Sequence, residues 1–223
     1  MYKAILYKEW IKSRYYLLIA AVVTVATTVF VLLSLNKSLT FNSIWFMWIS
    51  ILEQDIIPVR GLKFLPAVLG IGLALVQFIP EMQEKRLKLT LHLPENVHLI
   101  IIEMLVSGLL PLLLLYGLQL GSLALYFDHY LAPELVHKIF ATAGVWYVAG
   151  LMAYLLTAWI VLEPTWKMRL FNLAIAAGLM ELMFFWDSPC GYGPMVPWII
   201  LWCLAMFTFP LYSTWRFRRG CQD

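Results

Sequence analysis

Six stretches of the chain are apolar for long enough to form membrane-crossing helices, and polar segments of unequal length separate them. The stretches run from about Tyr15 to Leu35, from Gly61 to Ile79, from Leu99 to Phe127, from Ile139 to Leu162, from Leu170 to Trp186 and from Pro197 to Thr214. A hydrocarbon core about 30 Å thick needs roughly 20 such residues in a helix. The third stretch exceeds that and contains Pro111 and Gly117, which predicts a tilt, a kink at Pro111 or a terminal interfacial turn. Merging the fifth and sixth would bury Asp187, Pro189, Gly191, Gly193 and Pro194 in lipid, so they are read as separate spans. The predicted fold is all-α, a polytopic membrane protein with a single transmembrane domain over residues 1–223.

Two flanking segments carry helical periodicity of their own. In residues 1–14, Tyr2, Leu6, Tyr7, Trp10 and Ile11 share one side, and Lys8, Glu9 and Lys12 gather on the other. This predicts an amphipathic helix in the membrane interface, its aromatic rings at headgroup level and its lysines near anionic lipid. In the connection 36–63, Ile44, Trp45, Trp48, Leu52 and Ile56 recur at helical spacing, which predicts a second interfacial helix with its tryptophans in an aromatic belt.

Composition and charge narrow the class. The chain is 62% hydrophobic and 13% charged, too few charges to surface a soluble domain of 223 residues. Twelve of its sixteen basic residues fall in segments that share one side once the N-terminus is placed in the cytoplasm: Lys3, Lys8, Lys12, Arg14; Lys85, Arg86, Lys88; Lys167, Arg169; Arg216, Arg218, Arg219. That asymmetry predicts both termini inside and makes the net charge of +3 an orientation signal, with no nucleic-acid partner. The first span, preceded by fourteen residues and followed by no small-residue cleavage site, is not expected to be a signal peptide. Cys190, Cys203 and Cys221 fall in three different places, so no disulfide is expected.

Segment 80–98 (PEMQEKRLKLTLHLPENVH) joins the second and third spans on the predicted cytoplasmic side. Pro80 opens it and Pro94 closes it, and Glu81 and Glu84 stand four residues before Lys85 and Lys88 as helical pairs. By its residues alone it reads either as a solvated loop or as a short rigid helix that receives a push from a partner.

The order of these features resembles the permease subunits of type-2 ATP-binding-cassette (ABC) exporters. LYKEWIKSRYYLL is similar to that family's opening, with a Lys-Glu pair and a basic residue before the first span. EKRLKLTLHLPENVHLIIIEMLV is similar to its cytoplasmic coupling loop. The resemblance implies that Glu84, Lys85, Arg86, Thr90, Leu91, Leu93 and Pro94 form the docking and turn residues for an ATPase subunit, with Lys8, Glu9 and Lys12 beside it. It further implies a second permease copy or homologue, a bacterial cytoplasmic or inner membrane location, and ATP and Mg bound by the partner. The chain departs from the pattern in having Leu87, Lys88 and Leu89 where a glycine often stands, and only DSPCGYGPMV between spans five and six.

The chain itself has no G-x-x-x-x-G-K-[ST] phosphate loop. His92, His98, His129 and His137 fit no metal-hydrolase spacing, and Ser107 and Ser122 have no histidine within a span, so a non-catalytic chain without a metal or cofactor of its own is expected. The competing readings are an intramembrane enzyme and a secondary transporter or channel. Two acids fall inside predicted spans, Glu181 well within the fifth and Glu103 about one turn into the third. A charge at the bilayer centre costs roughly 2.5–3.5 kcal/mol on insertion scales, so each is a candidate polar site facing protein or water. Glu181 either lines a cavity or binds helices together through Asn172, Tyr147 or Thr157. Gly117 and Gly121 form a Gly-x-x-x-Gly pair suited to close helix packing.

Overall fold

The computed structural model describes residues 2–52, 57–83, 96–186 and 191–218, and these are helical with no strand among them. The helices are α1 (Tyr2–Leu52), α2 (Leu65–Gln83), α3 (Val97–Tyr130), α4 (Pro133–Leu162), α5 (Trp166–Phe184), α6 (Val196–Met206) and α7 (Thr208–Arg218), with 3-10 turns at Arg60–Leu62 and Gly193–Met195. Five segments are long and apolar enough to cross a membrane: Ile5–Ser38, Arg60–Gln83, His98–Tyr130, Pro133–Leu162 and Gly193–Arg218. The chain is therefore a helical, membrane-type, multi-pass protein. The remaining predicted span lies on α5, whose 19 residues include Lys167, Arg169 and Glu181 and which does not meet that test.

Where the helices begin and end follows from breakers. No glycine or proline occurs before Pro58, and α1 accordingly runs unbroken for 51 residues, about 76 Å. The interfacial segment 1–14, the first span and most of the second interfacial segment are one continuous helix rather than three elements. Helix α2 likewise continues through Pro80, to Gln83, four residues past the predicted span. Pro111 lies inside α3 without ending it. Pro210 does end a helix: it cannot donate to the Met206 carbonyl and its ring crowds that oxygen. The chain turns at Phe207, whose amide bonds to the Leu204 carbonyl, and the sixth predicted span becomes the pair α6 and α7.

Helix α4 is the centre of the molecule. It is apolar on all sides and sixteen of its 30 residues are buried, the behaviour expected of a helix surrounded by others. Its closest neighbour is α2. Gly70 lies against the Gly150 backbone, and Gly150 against Pro66, with 2.7 Å available between an added Cβ and the Pro66 Cβ. Seven residues further along α2 and four further along α4, the Tyr154 hydroxyl donates to Gln77 Oε1 at 2.7 Å, so α2 and α4 run in the same direction. Gln77 Nε2 donates in turn to the Met104 carbonyl at 2.6 Å, and the Tyr116 hydroxyl donates to the Pro66 carbonyl at 2.7 Å, which sets α3 antiparallel to α2. Tyr16 donates to the Leu69 carbonyl at 2.9 Å and Lys12 reaches Glu81, so α1 is antiparallel to α2 as well. Among the described residues nothing lies within 4 Å of a Cβ added at Gly117 or Gly121; the tight glycine contacts within the bundle are at Gly70, Gly72, Gly108 and Gly150.

Candidate functional site

The polar chemistry concentrates where α1 starts and where α2, α4 and α7 end. Lys8 and Lys12 are one helical turn apart on α1, and both ammonium groups reach Glu81 Oε1, at 2.8 and 2.6 Å. Lys12 also pairs with Glu9 Oε1 at 2.7 Å. Glu81 is fully buried and Glu9 almost so. Two ammonium groups and two carboxylates form a cluster of zero formal charge. Burial of ions is tolerable only with such pairing, because desolvation otherwise exceeds the Coulombic gain. The α1 residues opposite this cluster, Leu6, Tyr7, Trp10 and Ile11, are exposed. The start of α1 thus turns Lys8 and Lys12 to α2 and leaves Leu6, Tyr7, Trp10 and Ile11 outward.

A second buried acid stands at the end of α4. Glu163 accepts from Arg216 Nη1 at 2.5 Å and from Ser213 Oγ at 2.5 Å, both on α7, while Arg169 on α5 donates to the Glu163 carbonyl oxygen at 2.6 Å. One side chain and its backbone therefore hold three helices. A cavity of about 330 Å3, lined by Met82 and Gln83 of α2, Ile160 and Val161 of α4 and Trp166 and Arg169 of α5, connects this cluster to the end of α2. Between the two acids and the middle of the bundle, Gln77, Tyr154 and Ser107 form a hydrogen-bonded core, with Gln77 Nε2 to Ser107 Oγ at 3.2 Å.

Glu163→Gln removes the charge that holds Arg216 while keeping the shape. Amide exchange across 208–218 is expected to accelerate about tenfold, the equivalent of roughly 1.4 kcal/mol of local opening, with exchange in α2 unchanged. Hydrogen–deuterium exchange read by mass spectrometry measures this, and equal protection of 208–218 in both proteins contradicts the role given to Glu163.

The predicted site residues divide into three groups. Lys8, Glu9 and Lys12 are brought together. Glu84, Lys85, Arg86, Thr90, Leu91, Leu93 and Pro94 lie outside the described residues, as do Cys190 and Cys221. Glu103 is half-buried near the start of α3, and Glu181 is exposed on α5. Of the residues named as partners for Glu181, Asn172 is buried, Thr157 donates to the Ala153 carbonyl and Tyr147 packs edge-on to Tyr116. Glu81 pairs across helices, whereas its spacing to Lys85 suggested a local pair. Glu163, Ser213 and Arg216 were not singled out as a site. The usable signal was an acid next to Pro164 facing a serine and an arginine three residues apart, one helix face, near the chain's end. Among the described residues no group of three His, Cys, Asp or Glu is arranged to hold a metal ion.

No protein-family model matches the chain, and neither a curated protein nor a solved structure matches it.

Proposed function

We propose that the chain is the non-catalytic permease subunit of an ATP-driven exporter of the ABC type-2 class, crossing the cell membrane six times with both ends in the cytoplasm. The observation that carries this reading is the Lys8–Lys12–Glu81 cluster. It ties the N-terminal helix to the last turn of α2, three residues before the segment whose sequence resembles an ATPase-coupling loop. A coupling element transmits force only if its base is anchored, and two buried ion pairs anchor this one to α1.

The six-span arrangement has support from α5. Its start is held to the end of α4 through Arg169, and near its end the Phe184 carbonyl accepts from Lys63 Nζ at 3.1 Å, beside the start of α2. Helix α5 thus reaches from the end of α4 to the start of α2, with Lys167 and Arg169 at the end where Lys8 and Arg216 also lie. Exposed Glu181 supports a second copy or homologue, since an acid on a lipid-facing surface calls for a partner from outside the chain. ATP and Mg belong to the ATPase subunit, and the substrate is unidentified; an apolar pathway suits an amphipathic or lipidic one.

Affinity capture of the tagged chain from its native membrane is expected to recover an ATPase subunit with a phosphate-binding loop. Arg86→Glu and Pro94→Ala each reduce that recovery about tenfold, a loss of roughly 1.4 kcal/mol, while thermal unfolding stays unchanged. Undiminished recovery with both variants contradicts the docking role of the segment.

A further inference from the structure

A groove of about 420 Å3 runs between α1 and α3, its walls made by Ala21, Val25 and Leu118 and its polar positions by Thr24, Thr28 and Gln119. Both walls belong to segments apolar enough to cross a membrane, and no charged side chain lines the groove. Its hydrogen-bonding capacity is one-sided. Thr24 donates to the Ala21 carbonyl at 2.8 Å and Thr28 to the Thr24 carbonyl at 2.7 Å. Ser122, also on the groove, donates to the Gln119 carbonyl at 2.9 Å. Every hydroxyl hydrogen lining the groove is therefore spent on the backbone.

Gln119 is 4% exposed. Its Nε2 donates to Thr27 Oγ1 at 3.3 Å and approaches the Thr24 carbonyl at 3.5 Å. A carbonyl can only accept, which sets the amide with its nitrogen toward α1. The opposite atom, Oε1, is buried and has no hydrogen-bond partner among the described residues. A buried acceptor left unpaired is expensive, and native structures pair such atoms with protein, water or ligand. The groove thus offers acceptors without donors, between apolar walls, and opens toward the membrane.

We infer that this groove is a binding site for a neutral membrane lipid with a free hydroxyl, whose O–H donates to Gln119 Oε1 while its apolar body lies along Val25 and Leu118. A phospholipid headgroup would bring phosphate oxygens to a site that has acceptors of its own and no cation. The inference does not depend on an ATPase partner, because it concerns binding to the purified chain alone.

The test uses the full chain in nanodiscs doped with a diacylglycerol that carries a diazirine in one acyl chain. Light should label the segments 21–29 and 115–122 preferentially. Gln119→Leu should lower that labelling about three- to tenfold, the range of one hydrogen bond to a buried acceptor. The same probe with its hydroxyl capped as a methyl ether should label the wild-type chain no better than the free alcohol labels Gln119→Leu. If Gln119→Leu fails to fold, Val25→Trp decides, because Val25 is exposed on the groove wall and its replacement blocks the groove with Gln119 intact. Labelling that is indifferent to both the substitution and the cap, or undiminished in Val25→Trp, overturns the inference.

Discussion

Glu81→Gln is expected to destabilise the chain by about 3–5 kcal/mol, the cost of removing one partner from a buried ion pair. Glu81 has no exposed side-chain surface and accepts from two ammonium groups at once. The two lysines differ in their means of escape. The Lys8 side chain is 35% exposed and can turn to solvent, whereas Lys12 is 11% exposed and remains with Glu9 alone. Lys12 then holds the buried Glu9, so Lys12→Met in the Glu81→Gln background should destabilise further by stranding the Glu9 carboxylate, whereas Lys8→Met should change little. Thermal unfolding in detergent, combined into a double-mutant cycle, reads both. Equal effects of the two lysine substitutions would contradict this division.

Gly70→Leu is expected to leave no correctly folded protein. A Cβ at Gly70 would meet the Gly150 carbonyl oxygen, with the Tyr154 backbone nitrogen only 3.2 Å away. Both obstacles are backbone, so no rotamer change relieves them, and α2 must leave α4. The Tyr154–Gln77 hydrogen bond, seven residues along the same seam, is lost with it. Gly70→Ala places the same Cβ against the same backbone, so it too should be severely destabilised. The control is Gly117→Leu, where an added Cβ meets nothing within 4 Å among the described residues and the change should lie within about 0.5 kcal/mol. Size-exclusion profiles in detergent separate the cases. A monodisperse Gly70→Leu with wild-type melting would mean that the α2–α4 seam is not where it is described.

The helical class and the apolar segments were legible because hydrophobic length is a one-dimensional property, and lipid permits few alternatives to a helix. Boundaries were legible only where a breaker stood. The continuity of α1 follows from the absence of glycine and proline before Pro58, yet changes of composition at Tyr15 and Asn36 suggested three elements. Composition marks where the solvent changes and does not by itself break a helix. The split at Phe207 was missed because Pro210 acts four residues upstream of itself.

Polar pairing was less legible, for a geometric reason. Helix spacing reveals neighbours at i+3 and i+4, so Glu81 was matched to Lys85. Its partners are 69 and 73 positions earlier, across an antiparallel contact that no local pattern encodes. Glu163 and Arg216 are separated by 53 residues. The Gly-x-x-x-Gly pair at Gly117 and Gly121 makes no close contact among the described residues, while Gly70 and Gly150, in no motif, bring two helix backbones together. Periodicity assigns a face to each residue, and the partner of that face comes from three-dimensional packing.

The most direct test of the permease reading replaces residues 84–94 with a Gly-Ser linker of equal length and captures the wild-type and altered chains side by side from the same membranes. The account predicts that the wild-type chain brings down a phosphate-loop ATPase in stoichiometric amount. The altered chain should be equally abundant and equally stable and should lose the ATPase. An ATPase that stays with the altered chain, or a wild-type chain that recovers none, would contradict it.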